Sequence, residues 1–239
     1  MATFVLVHGA WHGAWCWFKL IPLLEEAGHS VVALDLPSHG IDRTPIKDVS
    51  LELYARAVCR VLDACREPVI LVGHSMGGVV ISRAAELRPA RIEKLVYLAA
   101  FLLPSGRAIS EATPADTLAR TMANLVVDGD GSAASLRAQA VRHMFYADCT
   151  DSDVALARTL LVPQPMVVNV TPLSTSEENF GSVSRFYIEC TCDNAIPIEA
   201  QRDMQSRLPC RRVITMQASH SPFLSAPGEL SVHLLQLLK

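Results

Sequence analysis

Nowhere in these 239 residues does an apolar run approach the ~20 residues that a membrane-crossing helix requires. The opening, which reaches Phe4-Val5-Leu6-Val7 almost at once, lacks the basic start, long apolar middle and small-residue cleavage site of a secretory leader. A soluble, cytoplasmic protein is expected. Excess positive charge is missing too: 21 Lys and Arg stand against 24 Asp and Glu, and no basic cluster interleaves with aromatics. Without a basic field to attract phosphates, nucleic acid is not an expected partner. Cys16, Cys59, Cys65, Cys149, Cys190, Cys192 and Cys210 are odd in number and form no C-x-x-C pair. Reduced thiols are expected, and a zinc site is not. No internal repeat or low-complexity segment is evident.

Half of the residues are hydrophobic and 19% are charged, which suits one α/β domain or one domain with an insertion. Short apolar runs recur at Phe4–Val7, Val31–Leu34, Val69–Val72, Leu95–Ala99, Phe186–Cys190 and Val213–Met216. They do not alternate with polar residues, as expected of strands covered on both faces in a parallel sheet. Between them, Trp17 to Ala27 reads as a helix ending at Gly28, and Leu51 to Cys65 places Leu51, Tyr54, Val58, Val61 and Leu62 at helical spacing. The pattern predicts a doubly wound, mostly parallel α/β sheet. From Pro104 to Phe180 the strand signal fades into helix-like pieces broken by Pro114, Gly129, Gly131, Pro163, Pro165 and Pro172, with Val167–Val170 a candidate short strand. Because strands resume at Phe186, residues 104–180 are expected to form a mostly helical cap on a core of 1–103 and 181–239.

The most informative segment is Val69-Ile70-Leu71-Val72-Gly73-His74-Ser75-Met76-Gly77-Gly78, an apolar strand running into Gly-x-Ser-x-Gly and then a helical pattern. This is the pattern of a nucleophile elbow. A serine there sits on a strained strand-to-helix turn at a helix N-terminus, and side chains at Gly73 or Gly77 would meet backbone. Ser75 is the candidate nucleophile.

A serine hydroxyl needs a base within hydrogen-bond reach and an acid to orient that base. Elbow-type hydrolases order them Ser, then Asp or Glu, then His. Only His143, His220 and His233 follow Ser75; His143 lies in the insertion and His233 in the periodic terminal helix. His220 stands just after the last apolar strand and before a helix begun by Pro222, at a strand's carboxyl end. Asp193 occupies the equivalent place after Phe186–Cys190, whereas Glu189 falls within that strand and Glu199 and Asp203 in the next helix.

Acyl transfer also requires donors for the developing oxyanion. Met76 N–H, next to the nucleophile, is one candidate, and Ala10 N–H, in the loop after the first strand, is the other. His8 and His12 of that loop, with Asp35 or His39, have no conventional metal-ligand spacing, and hydrogen bonding to the loop backbone is the expected role. Trp11, Phe223, Met122 and Phe145 are candidate substrate contacts, and Met144 and Tyr146 share their character. Arg120, Arg137, Arg142 and Arg158 are read as a solvated cap face.

Phe4 to Trp15, Ala33-Leu34-Asp35-Leu36-Pro37, Gly73 to Gly78 and the Asp193 and His220 segments together resemble the α/β-hydrolase superfamily. More narrowly, they resemble the branch of plant methylesterases and hydroxynitrile lyases with bacterial esterase relatives. The resemblance implies Ser75, Asp193 and His220 as a triad and no metal or organic cofactor. The lyases it resembles carry Thr directly after the first-strand histidine and Lys directly after the catalytic one, where this chain has Gly9 and Ser221. Lacking that cation for a departing cyanide, the chain is expected to be a serine carboxylesterase for small apolar or aromatic esters, methyl esters included. Lyase or cofactor-free oxygenase chemistry, or a ligand-binding receptor on a hydrolase scaffold, are the alternatives. A homodimer is compatible with the sequence.

Overall fold

The computed structural model describes residues 1–238. Strand β1 (Thr3–Val7) passes through a 3₁₀ turn at Ala14–Trp17 to helix α1 (Leu20–Glu26) and strand β2 (Ser30–Leu34). Helix α2 (Leu51–Ala64) then leads to β3 (Val69–His74), α3 (Gly77–Leu87) and β4 (Ile92–Leu98). Short helices α4 (Ile109–Ala112) and α5 (Ala115–Ala123) follow, then β5 (Leu125–Val127) and β6 (Ala133–Leu136). Helices α6 (Ala138–Phe145) and α7 (Asp151–Leu160), strand β7 (Gln164–Pro165) and α8 (Val167–Val170) complete this stretch. The chain closes with β8 (Arg185–Cys190), α9 (Ile198–Arg207), β9 (Arg212–Met216), α10 (Pro222–Ser225) and α11 (Pro227–Gln236).

Six strands form one parallel sheet in the order β2-β1-β3-β4-β8-β9. The first crossover moves outward to β2, and every later one moves the other way. Right-handed crossovers therefore put α1 and α2 on opposite faces. Packing agrees: α1 lies on α11, and α2 lies on α3. The apolar runs follow this layering, since central β3 is buried throughout while edge strand β9 buries Ile214 and Met216 and exposes Arg212, Val213 and Thr215. The order reverses between β1 and β3, and a sheet of this kind opens a crevice at the carboxyl ends of those two strands. The segments leaving them are the loop at His8 and the elbow at Ser75.

Three expectations need correction. Pro22 confines the first helix to Leu20–Glu26, because proline fits only a first turn, and the Trp17 end becomes a 3₁₀ turn instead. Val167–Val170 is one helical turn, not a strand; it buries Val168 against its neighbours and exposes Val167 and Val170. The stretch between β4 and β8, although richer in helix than strand, also holds a three-stranded antiparallel sheet, β5-β6-β7. Gly129 and Gly131 serve its β5–β6 turn, Gly131 at φ +74°, where Asp128 N–H closes onto Ala133 O at 2.9 Å.

Candidate active site

Ser75 has φ +54°, a left-handed conformation costing a non-glycine residue roughly 1–3 kcal/mol. Its backbone is held from both sides: Ser75 N–H donates to Leu98 O (3.3 Å), and Ser75 O accepts from Phe101 N–H and Gly78 N–H, each at 3.0 Å. A Cβ on Gly73 would lie 2.7 Å from Gly77 O, and one on Gly77 would lie 2.8 Å from Val7 O. Strand β3, helix α3 and strand β1 approach one another so closely there that only glycine fits.

His220 and Asp193 meet as their places at strand ends foretell. His220 Nδ1–H donates to Asp193 Oδ2 at 2.7 Å, with both side chains buried. Asp193 Oδ1 accepts from Ala195 N–H (2.7 Å) and Ile196 N–H (2.9 Å), so the carboxylate is fixed and solvated by its own loop. That tautomer leaves His220 Nε2 with a lone pair. The other acids lie elsewhere: Glu189 takes Arg202, Gln205 and Thr215, and Asp203 pairs with Arg207. His74, beside Ser75, donates its Nε2–H to His220 O at 2.8 Å, and the two rings lie 4.5 Å apart. The carbonyl fixes this tautomer, and burial holds His74 well below the ordinary imidazole range. Sequence reasoning missed this role, for the second position of the pentapeptide carries no pattern of its own.

The β1 loop lies against the elbow, since a Cβ on Gly9 would fall 2.8 Å from Ser75 Cβ. His8 Nδ1–H donates to Gly9 O (2.8 Å) while its Nε2 accepts from Leu36 N–H (3.1 Å). A trans peptide directs its N–H opposite to its carbonyl, so this bond also aims Ala10 N–H. His12 Nδ1–H donates to Ala10 O (2.7 Å), and its Nε2 accepts the Tyr146 hydroxyl (2.6 Å). Burial pushes His12 down to about 3 and holds His8 well below its ordinary value, so both rings stay neutral. With every ring nitrogen of this pair engaged, neither has a lone pair for a metal. Among the described residues, neither Ala10 N–H nor Met76 N–H has a protein acceptor.

Ala10, Met76 and Ser75 line one side of a cavity of about 330 Å³, and Trp11, Phe145 and Met122 line others. No charged side chain contributes to its wall, and Arg120, Arg137, Arg142 and Arg158 all stand away from it. Arg142 instead pairs with Asp151, and Arg158 donates to Ala138 O. Phe223 does not reach the cavity: it is fully buried beneath the site, 4.8 Å from the Trp17 ring and 4.9 Å from His74. Tyr146 also turns away from the cavity, toward His12.

The family model described as "Alpha/beta hydrolase family" matches residues 4–232. Methylesterase 2 of Arabidopsis thaliana is 36% identical, over 98% of this chain and 95% of its own length. A longer chloroplastic protein of the same plant is 37% identical over 99% of this chain, which spans 64% of that protein. The crystal structure of polyneuridine aldehyde esterase superposes with a TM-score of 0.88 at 30% identity and covers both chains completely. The chain belongs to the alpha/beta hydrolase family, in the branch that holds the plant methylesterases.

Proposed function

We propose that the protein is a serine carboxylesterase acting on small, neutral, apolar or aromatic esters, with methyl esters among them. One observation carries this reading: a strained serine and two N–H groups without protein acceptors share an apolar, uncharged cavity near a buried His–Asp pair. Esterase activity is the function shared with its relatives. In the proposed mechanism, His220 Nε2 takes the Ser75 hydroxyl proton as Oγ bonds to the ester carbonyl carbon. Ala10 and Met76 N–H groups bind the resulting oxyanion. The carbon–alkoxide bond breaks, and the alcohol leaves with the proton from His220. Water then gives a proton to His220 and attacks the acyl-enzyme; the acid departs and Ser75 regains its proton. Asp193 holds the ring and stabilises its transient charge.

The uncharged wall is the feature that selects neutral esters, since burying a carboxylate without a partner is costly. Residues 104–180 act in this reading as the cap over residues 1–103 and 181–239. A cytoplasmic setting is part of it, supported by seven unpaired thiols. Among the described residues, no helix is long and apolar enough to cross a membrane. The test is hydrolysis of nitrophenyl esters, acetate through octanoate, beside the methyl ester of an aromatic acid. Turnover is expected with the wild type and not with Ser75→Ala; equal turnover by both would overturn the proposal.

A further inference from the structure

Gln164 is a fully buried polar side chain whose hydrogen bonds join the cap to the loop carrying Ala10. The peptide between Ala10 and Trp11 is clamped at both ends. Its carbonyl takes His12 Nδ1–H, and its N–H donates to Gln164 Oε1 at 3.2 Å. Trp11 has φ +64°, a conformation that a bulky residue keeps only where its surroundings enforce it. Those surroundings come from the chain between β4 and β8. The Trp11 indole N–H donates to Ala134 O (2.8 Å), and Trp11 O accepts from Val162 N–H (3.0 Å).

The amide of Gln164 has only one workable orientation. Oε1 accepts from Trp11 N–H and from His39 Nε2–H (2.9 Å), while Nε2–H donates to Pro165 O (3.0 Å). Turning it over would set donor against donor. His39 is held in turn, its Nδ1 lying 3.1 Å from Pro37 O and 3.3 Å from the Tyr54 hydroxyl. A chain of buried bonds therefore runs from α2 through β7 to the loop beside Ser75.

We infer that Gln164 is a positioning residue for the oxyanion site, acting through the Trp11 amide to keep Ala10 N–H aimed into the cavity. This rests on the reading of Ser75 as nucleophile and Ala10 as oxyanion donor. Without the acceptor, the buried Trp11 N–H must find another partner, and the peptide has to rotate. Ala10 N–H belongs to the preceding peptide and moves with the Ala10 Cα that joins the two, so displacement of that Cα carries it from where the oxyanion forms, while the cavity walls supplied by α5 and α6 stay in place. The loss therefore falls on the transition state and not on substrate binding.

The experiment compares Gln164→Met, which keeps length and loses the acceptor, with Gln164→Glu, which keeps acceptor oxygens. Nitrophenyl ester kinetics are measured with affinities for an aryl trifluoromethyl ketone, which forms an anionic adduct on Ser75, and the plain methyl ketone, which does not. For Gln164→Met, kcat is expected to fall about tenfold with KM within about twofold. Trifluoromethyl ketone affinity should fall with kcat/KM, plain ketone affinity should hold, and Gln164→Glu should recover most of the rate. If Gln164→Met does not fold, Gln164→Asn, which shortens the reach by one methylene, carries the same expectation.

Wild-type kcat in the Met and Asn variants would overturn the inference. So would a loss shared equally by the plain ketone, or a Glu variant as slow as Met. An unmodified protein without ester turnover would instead overturn the reading of the whole site.

Discussion

The elbow and helix α5 face the same cavity and are held in opposite ways. Around Ser75, glycines leave no room for a methyl group, the serine backbone is bonded on both sides, and neighbouring histidines are spent on backbone carbonyls. Along α5, the side-chain hydrogen bonds, Arg120 to Thr117 and Asn124 to Arg120 O, stay within the helix and its cap. Met122 of that helix lines the cavity yet is 47% exposed. Chemistry tolerates little misplacement, because effective concentration falls steeply with misalignment. A wall that sorts substrates by size and polarity needs only approximate shape. The difference suggests that rate belongs to the sheet side and preference to the α5 side.

The largest effects should come from the sheet side. Ser75→Ala should lower kcat by roughly four to six orders of magnitude, and Asp193→Asn by about four, in nitrophenyl acetate hydrolysis with melting behaviour retained. A similar loss from any α5 substitution would dissolve the contrast. Next is Gly9→Ala, which puts a carbon 2.8 Å from Ser75 Cβ and 3.0 Å from His74 Nδ1. Neither atom is the far end of a flexible side chain, so the loop must move; kcat should fall about a hundredfold, more than KM changes. A wild-type rate for this variant would show that the loop is not tightly set.

Acid provides a third test of the same tight packing. Burial lowers His8, His12, His39 and His74 in the folded state, so the unfolded chain binds protons that the folded chain refuses. Their contribution is intact above pH 6.5, the unfolded value, and is lost as pH falls below it. Each can remove about 1.4 kcal/mol per pH unit until its folded value is reached, near 3 for His12. Urea midpoints should therefore drop clearly between pH 7.5 and 5.5; a constant midpoint would contradict neutral burial. The smallest effect belongs to α5. Met122→Ala should leave acetate turnover unchanged, lower kcat/KM for octanoate about threefold, and alter stability by less than about 0.5 kcal/mol.

The sheet and the places of the proposed reacting groups are legible because their signals are local and ordered. A strand buried on both faces must read as a continuous apolar run, as Val69 to Val72 does. Ser75, Asp193 and His220 each stand just past such a run, so strand ends and chain order located them without tertiary information. His8 and His12 also bond the loop backbone as expected. The remainder depends on contacts between distant residues. Asp128-Gly129-Asp130-Gly131 carries a hairpin signal whose glycines, taken singly, mark only helix breaks. Val167–Val170 has strand-like composition, but one helical turn packs it on α4. Gln164 lies between Pro163 and Pro165 and is 153 positions from the Trp11 amide it binds. No periodicity marks such a residue, and nothing local in the sequence separates Phe223, packed against Trp17 and His74, from an aromatic that lines a pocket.

The most direct measurement is covalent: treat the intact protein with a fluorophosphonate, digest it and map the adduct by mass spectrometry. One adduct on Ser75, formed in step with the loss of ester hydrolysis and absent from Ser75→Ala, is the expected result. Hydrolysis that persists with Ser75 fully modified, or an inactivating adduct on another residue, would contradict Ser75 as the nucleophile.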